Sequence, residues 1–435
     1  MARHLFGTDG VRGLAGEKLT AELAMALGRA ATEQAGGPGT RVLVLRDTRE
    51  SGEMLEAALA AGISAAGGEA LLGGVLPTPA APLLIGQYGF DLGVVVSASH
   101  NPYQDNGIKF FGGDGLKLTD AAEEEIEARL EAPHASTLAI GRVRELHGTQ
   151  EDYLRALEVR FKDLDLSGLN LLLDCAHGAT YRVGPEIFRR LGASVTAIGC
   201  APDGRNINDG VGSTHIEALA AAVVADGHDL GFAFDGDGDR VLAADRLGTS
   251  VDGDELIALA AIHLRANDRL AGNGVVVTVM TNYGFHTAME AADIEVATTD
   301  VGDRYVLAEL RERGWSLGGE QSGHIIDMGF VRSGDGIASA LLTLEALAGE
   351  DLAERSAMQK LPQRLVNVKV ADKATALAAV AGPAADENSA LTGQGRVLVR
   401  ASGTEELVRV MVEAPDDARC EEICARLVAV VEAAG

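Results

Sequence analysis

The chain has 435 residues, enough for about three domains at roughly 150 residues each. Its 64 acidic and 37 basic residues leave a formal charge of −27, and 47% of residues are hydrophobic but only 4% aromatic. That balance fits a globular chain with an aliphatic core and disfavours general binding to nucleic acid or to anionic membranes, so neither is expected as a partner.

The opening MARHLFGTDG lacks the apolar segment of a secretory signal, and a cytoplasmic protein is expected. Phe6 to Gly13 (FGTDGVRG) reads as a Gly-punctuated turn or a loop entering the first strand, with Arg12 its one basic residue. From residue 41, RVLVL reads as a short strand, RDTRES as a polar loop, EMLEAALAAGISAAG as a helix and ALLGG as a second strand. The same order returns at 169 (LNLLLD, CAHGATYRVG, PEIFRRLGA, SVTAIG) and at 274 (GVVVTVM, TNYG, FHTAMEAAD, IEVATT). These intervals are domain-sized and too long for a solenoid. The expectation is α/β: three related α/β domains with mostly parallel sheets. The uncharged run 70–90 could span a bilayer by length, but Pro77, Pro79 and Pro82 make it a poor membrane helix.

The segment 94–112, VVVSASHNPYQDNGIKFFG, starts as an apolar strand and ends in Ser97-Ala98-Ser99-His100-Asn101-Pro102. A Ser at a strand end followed by His can be an exposed nucleophile, or merely a capping Ser beside a hydrogen-bonded His. Ser97 and Ser99 share a face by two-residue alternation. Asn106-Gly107 reads as a turn that returns Lys109 toward the strand end. No G-x-S-x-G elbow occurs, which disfavours an acyl-transfer hydrolase. The charged stretches 121–132 and 347–359 read as solvated helix faces.

Asp235-Gly236-Asp237-Gly238-Asp239-Arg240 follows the apolar run LGFAF. Three carboxylates at alternate positions, with glycines that allow tight turning, can converge on one hard cation, Mg²⁺ above all. A calcium EF-hand also begins Asp-x-Asp-x-Asp, but here its sixth position is Arg240 and its twelfth is Arg246. Crowded carboxylates repel unless a cation joins them, which weighs against a plain surface turn. Gly318-Gly319-Glu320-Gln321-Ser322-Gly323-His324 sets polar side chains between glycines and can read sugar hydroxyls, or be a flexible loop.

The tail reads β-α-β-β-α, a small α+β domain: LVNVKV (365–370), a helix to about 382, GRVLVRAS (395–402), ELVRVMVEA (406–414) and a helix from about 418. Between its strands, Arg400-Ala401-Ser402-Gly403-Thr404, with Arg409 beyond, offers hydroxyls, backbone N–H groups and guanidinium to an anion, or forms a hairpin turn. No Walker A loop or G-x-G-x-x-G supports a nucleotide site. Four cysteines are too few for a disulfide scaffold, and Cys420 and Cys424 read as two small residues on one helix face.

Taken together and in order, FGTDGVRG, RDTRESG, PTPA (77–80), SASHNPYQDNGIKFF, PDGRNINDGVGSTH (202–215), DGDGDR, VGDRY (301–305), GGEQSGH and RASGTE resemble the α-D-phosphohexomutase superfamily, and within it the bacterial phosphoglucosamine mutases. The resemblance implies a four-domain, heart-shaped enzyme with boundaries near 1–150, 151–250, 251–363 and 364–435. It implies an isomerase that moves phosphate between the 6- and 1-positions of glucosamine through a phosphoserine and a bisphosphorylated sugar, which also serves as activator. By the same resemblance, Ser99 is the phosphorylated serine. Asp235, Asp237 and Asp239, with a Ser99 phosphate oxygen, hold one Mg²⁺ per site. Arg12, His100 and Lys109 stand near the transferring group, and Arg240, Glu320, Ser322 and His324 face the sugar. Arg400, Ser402, Gly403, Thr404 and Arg409 take the phosphate that is not reacting.

The five basic residues among these would form a local positive cleft, and a monomer or homodimer is expected. Glu406 replaces a usual Pro and His177 a usual Asn. Alternatives are a phosphoglucomutase or phosphomannomutase, a non-catalytic sugar-phosphate binder on the same fold, or a metal-dependent phosphatase.

Overall fold

The computed structural model describes residues 5–7, 9–131, 139–402 and 406–435, so Gly403 and Thr404 lie outside the described residues. By its internal contacts the chain divides into two units, residues 1–279 with 297–355, and residues 280–296 with 356–435.

One strand topology occurs three times. The first instance is Arg41–Arg46, Glu69–Val75, Leu92–Val96 and Asp105–Gly112; the second is Asn170–Asp174, Ser194–Ile198, Leu230–Phe234 and Val241–Asp245; the third is Gly274–Thr278, Glu295–Thr299, Leu317–Gly319 and Ile325–Asp327. In each sheet the order across is fourth, third, first, second. Val11–Leu14 and Arg142–Glu145 extend the first sheet at its two edges, and Ser250–Val251 extends the second.

The first strand pairs in parallel with the third in every case, and with the second in the first two sheets. The fourth strand returns antiparallel on the third in all three. The sheets are therefore mixed, because a short hairpin can join only antiparallel neighbours. The sequence units capture the first two strands of each sheet and miss the hairpin. In the third sheet those hairpin strands are only three residues long, too short for a periodic signal.

This repetition positions the candidate residues. The hairpin turn between third and fourth strands is 97–104 in the first sheet, 235–240 in the second and 320–324 in the third. The Ser99 loop, the three-aspartate loop and the Glu320 loop are thus one structural position used three times. Asn106 and Gly107 do not form the expected turn. They lie in the fourth strand opposite Gly13 and Arg12, and the reversal occurs at 100–104. The segment 347–359 is not an α-helix: the preceding helix Gly336–Leu347 stops at Ala348 and Gly349, both left-handed, and only a short 3₁₀ turn, Leu352–Glu354, follows.

With few aromatics, the core packs small residues at close range. Helices Ala21–Gln34 and Ser51–Ala65 cover the first sheet, and Thr20 caps the former by accepting from Leu23 N–H at 3.2 Å. Gly28 and Gly62 let their backbones touch: a methyl at Gly62 would overlap the Met25 carbonyl oxygen, and one at Gly28 would sit 2.6 Å from that of Leu59. Gly62→Ala is therefore expected to destabilise the protein by about 1–3 kcal/mol despite its better helix propensity. Denaturant unfolding checks this, and a midpoint at or above that of the parent would refute the close approach.

In the second unit, Gln363–Lys369, Leu407–Glu413 and Arg396–Ala401 form an antiparallel sheet with Leu407–Glu413 central. Helices Lys373–Ala390 and Asp417–Ala434 pack on it, the first continuing through Pro383 beyond its expected end. Cys420 and Cys424 are buried in this core, as their spacing on one helix face predicts. Among the described residues no helix is long and apolar enough to cross a membrane.

Candidate active site

The first third strand, Leu92–Val96, is buried throughout and delivers the chain into a fixed loop. Ser97 and Ser99, expected to share a face, separate. Ser97 Oγ donates to Asp47 Oδ2 at 2.6 Å and accepts from Ser99 N–H at 2.9 Å, so it is a buried brace. Ser99 adopts a left-handed backbone, φ +52°, a conformation that costs a non-glycine residue about 1–2 kcal/mol and persists only when its surroundings enforce it.

The enforcement is visible. The Arg49 side chain is fully buried against Asp47 at 2.9 Å, and its guanidinium donates to the carbonyls of Ser99 (2.8 Å), Asn101 (2.8 Å), Asp105 (3.0 Å) and Pro102. Asn208 Nδ2, in the loop after Ser194–Ile198, grips the carbonyls of Ser99 and Asn101 at 2.9 and 3.0 Å. Held this way, Ser99 Oγ donates to Asp235 Oδ2 at 2.6 Å and lies 3.2 Å from His100 Nδ1.

Gly236 lets the aspartate loop approach this closely, since a Cβ there would meet the Ser99 carbonyl at 2.5 Å. Carboxylate oxygens of Asp235, Asp237 and Asp239 lie within 4.8 Å of one another, and all three residues are buried. Asp237 Oδ2 accepts from Thr78 (2.7 Å) and Lys109 (2.8 Å), and Asp235 Oδ1 from Arg240 N–H (3.1 Å). Among the described residues, Asp237 Oδ1 and Asp239 Oδ1 are buried without a hydrogen-bond partner. Orphaned anionic oxygens at this spacing, with no thiolate or imidazole among them, fit a hard divalent cation. Without one, burial and then the charges of Asp239 and Asp237 push the Asp235 carboxyl well above the usual range.

An ion network runs from this loop. Lys109 reaches Asp237 at 2.8 Å, Asp9 at 3.0 Å and Asp239 at 3.9 Å. Burial opposes its charge, but these carboxylates outweigh burial and raise its pKa, so it stays protonated. Asp9 also pairs with Arg12 and, at 2.5 Å, with Lys117, which reaches Asp303 at 2.5 Å. His100 is driven the other way, down to about 4, first by burial and then by Arg240 and Arg12, and is neutral at neutral pH. His324 Nδ1 faces Asp239 at 3.5 Å, while Nε2 accepts from Gly334 N–H at 3.2 Å. Glu320 Oε1 accepts from Gly302 N–H at 3.0 Å, which ties the Glu320 loop to the segment 301–305.

Ser99, His100, Arg12, Asp239, Arg240, Glu320, Ser322 and His324 line one cleft of about 680 Å³, and Lys109 is buried behind it. Where a local positive cleft was expected, the described lining is mixed: Arg12, Lys18, Arg240 and Arg304 stand beside Asp9, Asp239, Asp303 and Glu320.

In the second unit, Arg400 and Arg409 face each other across paired strands, and Ser402 N–H donates to the Leu407 carbonyl at 2.9 Å. Glu406 is exposed and pairs with Lys373 at 3.3 Å. His177 adopts a left-handed backbone, and its Nδ1 accepts from Ala201 N–H at 3.2 Å. The sequence reading assigned no role to Arg49, Asp47, Thr78, Asn208, Asp9, Lys117 or Asp303. All but Lys117 lie within the strings that carry the resemblance, such as RDTRESG, PTPA and VGDRY, which was the signal that could have found them.

Four family profiles match the chain: phosphoglucomutase/phosphomannomutase alpha/beta/alpha domain I at residues 3–136, domain II at 151–248, domain III at 252–365 and the C-terminal domain at 365–430. A curated phosphoglucosamine mutase of Mycolicibacterium paratuberculosis is 51% identical over 99% of both chains. That of Moorella thermoacetica is 50% identical over 97% of this chain and 98% of its own. A phosphoglucomutase/phosphomannomutase family protein of Burkholderia thailandensis superposes with a TM-score of 0.85 at 25% identity, covering 100% of this chain and 98% of that one. At 19% identity, the Aspergillus fumigatus N-acetylphosphoglucosamine mutase, solved with GlcNAc-6P and magnesium, shares the fold alone, with a TM-score of 0.66 over 99% of this chain and 96% of that one.

Proposed function

Because the chain belongs to the phosphoglucomutase/phosphomannomutase family, we propose that it interconverts glucosamine 6-phosphate and glucosamine 1-phosphate, feeding amino-sugar nucleotide and cell-wall precursor synthesis. Glucosamine is supported by identity of about half over nearly the full length of curated phosphoglucosamine mutases. The phosphoryl transfer is supported by a single observation: a strained serine whose Oγ lies 2.6 Å from one of three clustered aspartates at the wall of a cleft.

Ser99 carries a phosphoryl group and gives it to one end of the sugar phosphate. The resulting bisphosphate turns over, and its other phosphate returns to Ser99. Asp235, Asp237 and Asp239 hold one Mg²⁺, which when bound neutralises negative charge at the transferring phosphoryl group. Lys109, held protonated by its carboxylates, adds fixed positive charge beside that group, and Arg12 adds a second. Neutral His100, 3.2 Å from Ser99 Oγ, accepts and returns the proton at that oxygen. Glu320 and Ser322 orient the sugar hydroxyls and amine, Arg240 and His324 stand at the cleft wall, and the bisphosphorylated sugar also primes Ser99. Arg400, Ser402, Gly403, Thr404 and Arg409 take the non-reacting phosphate. Domain limits near 1–150, 151–250, 251–363 and 364–435 complete this reading, with a monomer or homodimer as the working form. Four free cysteines suit a reducing, cytoplasmic setting.

Turnover on glucosamine, glucose and mannose 6-phosphates, with and without Mg²⁺, tests the reading by scoring isomer against inorganic phosphate. Mg²⁺-dependent isomer is expected, with kcat/KM highest for glucosamine 6-phosphate. Free phosphate as the main product, or a clear preference for another sugar, would overturn it. Arg400→Ala is expected to cost about 1.5–3 kcal/mol in kcat/KM through one lost charge-assisted contact, with folding intact. Unchanged kcat/KM would remove this loop from the site.

A further inference from the structure

Two thiols that the proposed reaction does not use follow neighbouring strands of the second sheet. Asn170–Asp174 and Ser194–Ile198 run in parallel with Asp174 opposite Ile198, so Cys175 and Cys200 come just beyond the paired ends. The two segments remain joined there: Cys175 N–H donates to the Ile198 carbonyl at 3.1 Å, and His177 N–H to that of Gly199 at 2.6 Å. The Cys200 thiol donates to the same Ile198 oxygen at 3.4 Å. One acceptor therefore gathers the backbone of Cys175 and the sulfur of Cys200 at the adjacent ends of the two strands.

Both cysteines are free. Cys175 is fully buried and Cys200 is half-buried, so an oxidant meets Cys200 first. The interaction between the neighbouring thiols lowers the pKa of Cys200 and, with burial, raises that of Cys175, so Cys200 is the better nucleophile.

We propose that Cys175 and Cys200 form a reversible thiol–disulfide modification site that takes a hydroperoxide as its oxidant. The Cys200 sulfur attacks a peroxide oxygen, the O–O bond breaks, and with hydrogen peroxide a water leaves while Cys200 becomes a sulfenic acid. The Cys175 sulfur then bonds to the Cys200 sulfur, and the sulfenic oxygen departs as a second water with the Cys175 proton. Two thiols are oxidised and one peroxide is reduced to two waters. A dithiol reductant reverses the bond.

Cys175 also begins the segment that braces both reactive loops. Ala179 N–H donates to the Gly236 carbonyl at 2.8 Å, and Asn208 N–H to the Ala176 carbonyl at 2.9 Å. The Asn208 side chain in turn holds the Ser99 carbonyl. A disulfide that shifts Cys175 thus moves the aspartate loop and the Ser99 loop together.

The test is hydrogen peroxide on the full chain, followed by peptide mapping and activity. The expected product is a Cys175–Cys200 linked peptide, lighter by two hydrogens, with turnover down on the order of 10²-fold. Both changes reverse with dithiothreitol. Cys175→Ser stops at a Cys200 sulfenic acid that dimedone traps, and Cys200→Ser gives no linked peptide. Recovery of both residues as free thiols, or a link between Cys420 and Cys424 in their place, overturns the site. A linked protein with undiminished turnover overturns the coupling. The mass readout is independent of which sugar the enzyme uses.

Discussion

Ser99→Ala is expected to lose turnover by about 10⁴–10⁶-fold, the scale for removing a catalytic nucleophile, with the fold unchanged. The loop does not depend on the Ser99 hydroxyl for its shape. Arg49 and Asn208 hold the Ser99 carbonyl and Ser97 Oγ holds its N–H, and all three contacts survive the substitution. Ser97→Ala is expected to behave differently. It removes the acceptor for Ser99 N–H and the donor to Asp47, so it costs about 1–3 kcal/mol of stability. Much of its activity remains, because the reactive oxygen is still present. Unfolding curves and initial rates on both variants separate the two outcomes, and full activity in Ser99→Ala would reject the phosphoserine mechanism.

Asp235→Asn is expected to weaken Mg²⁺ binding and lower kcat by 10²–10³-fold or more, because it removes a metal ligand. The same change should stabilise the metal-free protein. The Asp235 carboxyl is pushed well above its unfolded value, first by burial and then by Asp239 and Asp237. A carboxyl raised on folding supports stability only while protonated, and that support is lost as pH rises through the folded pKa. Asparagine carries no such charge, so its advantage should be largest at alkaline pH and small in acid. Thermal unfolding in chelator across pH checks the sign. A metal-free variant less stable than the parent at high pH would mean that the three carboxylates do not repel as their packing requires.

Much of this site was legible in the sequence because its chemistry is concentrated in short, unusual strings. Asp235, Asp237 and Asp239 announce a cation site by alternation alone, and the repeated strand-loop-helix-strand order announces three related sheets. What escaped is how distant segments meet. Arg49 and Asp47 sat in RDTRESG, read as a polar loop and a resembling string but given no role, yet Arg49 holds four backbone carbonyls of a loop some 50 residues on. Such contacts are set by tertiary packing and leave no local period. Periodicity alone did not separate Ser97 from Ser99, because strand alternation was extended beyond Val96, where the backbone turns left-handed; the resemblance singled out Ser99. The hairpin that places all three reactive loops was hidden for a related reason: its strands are short, and Asn106-Gly107, a strong turn signal, is spent inside a strand. Reading five basic residues as a positive cleft left out the acids Asp9 and Asp303, and equally the bases Lys18 and Arg304, which the fold brings to the same lining.

The most direct measurement of the central claim is peptide mapping of active enzyme primed with radiolabelled bisphosphorylated sugar. The account predicts label on the Ser99 peptide alone, chased off by unlabelled glucosamine 6-phosphate as isomer appears, and absent in Ser99→Ala. Label on Ser97, or catalysis with no labelled serine, would contradict it.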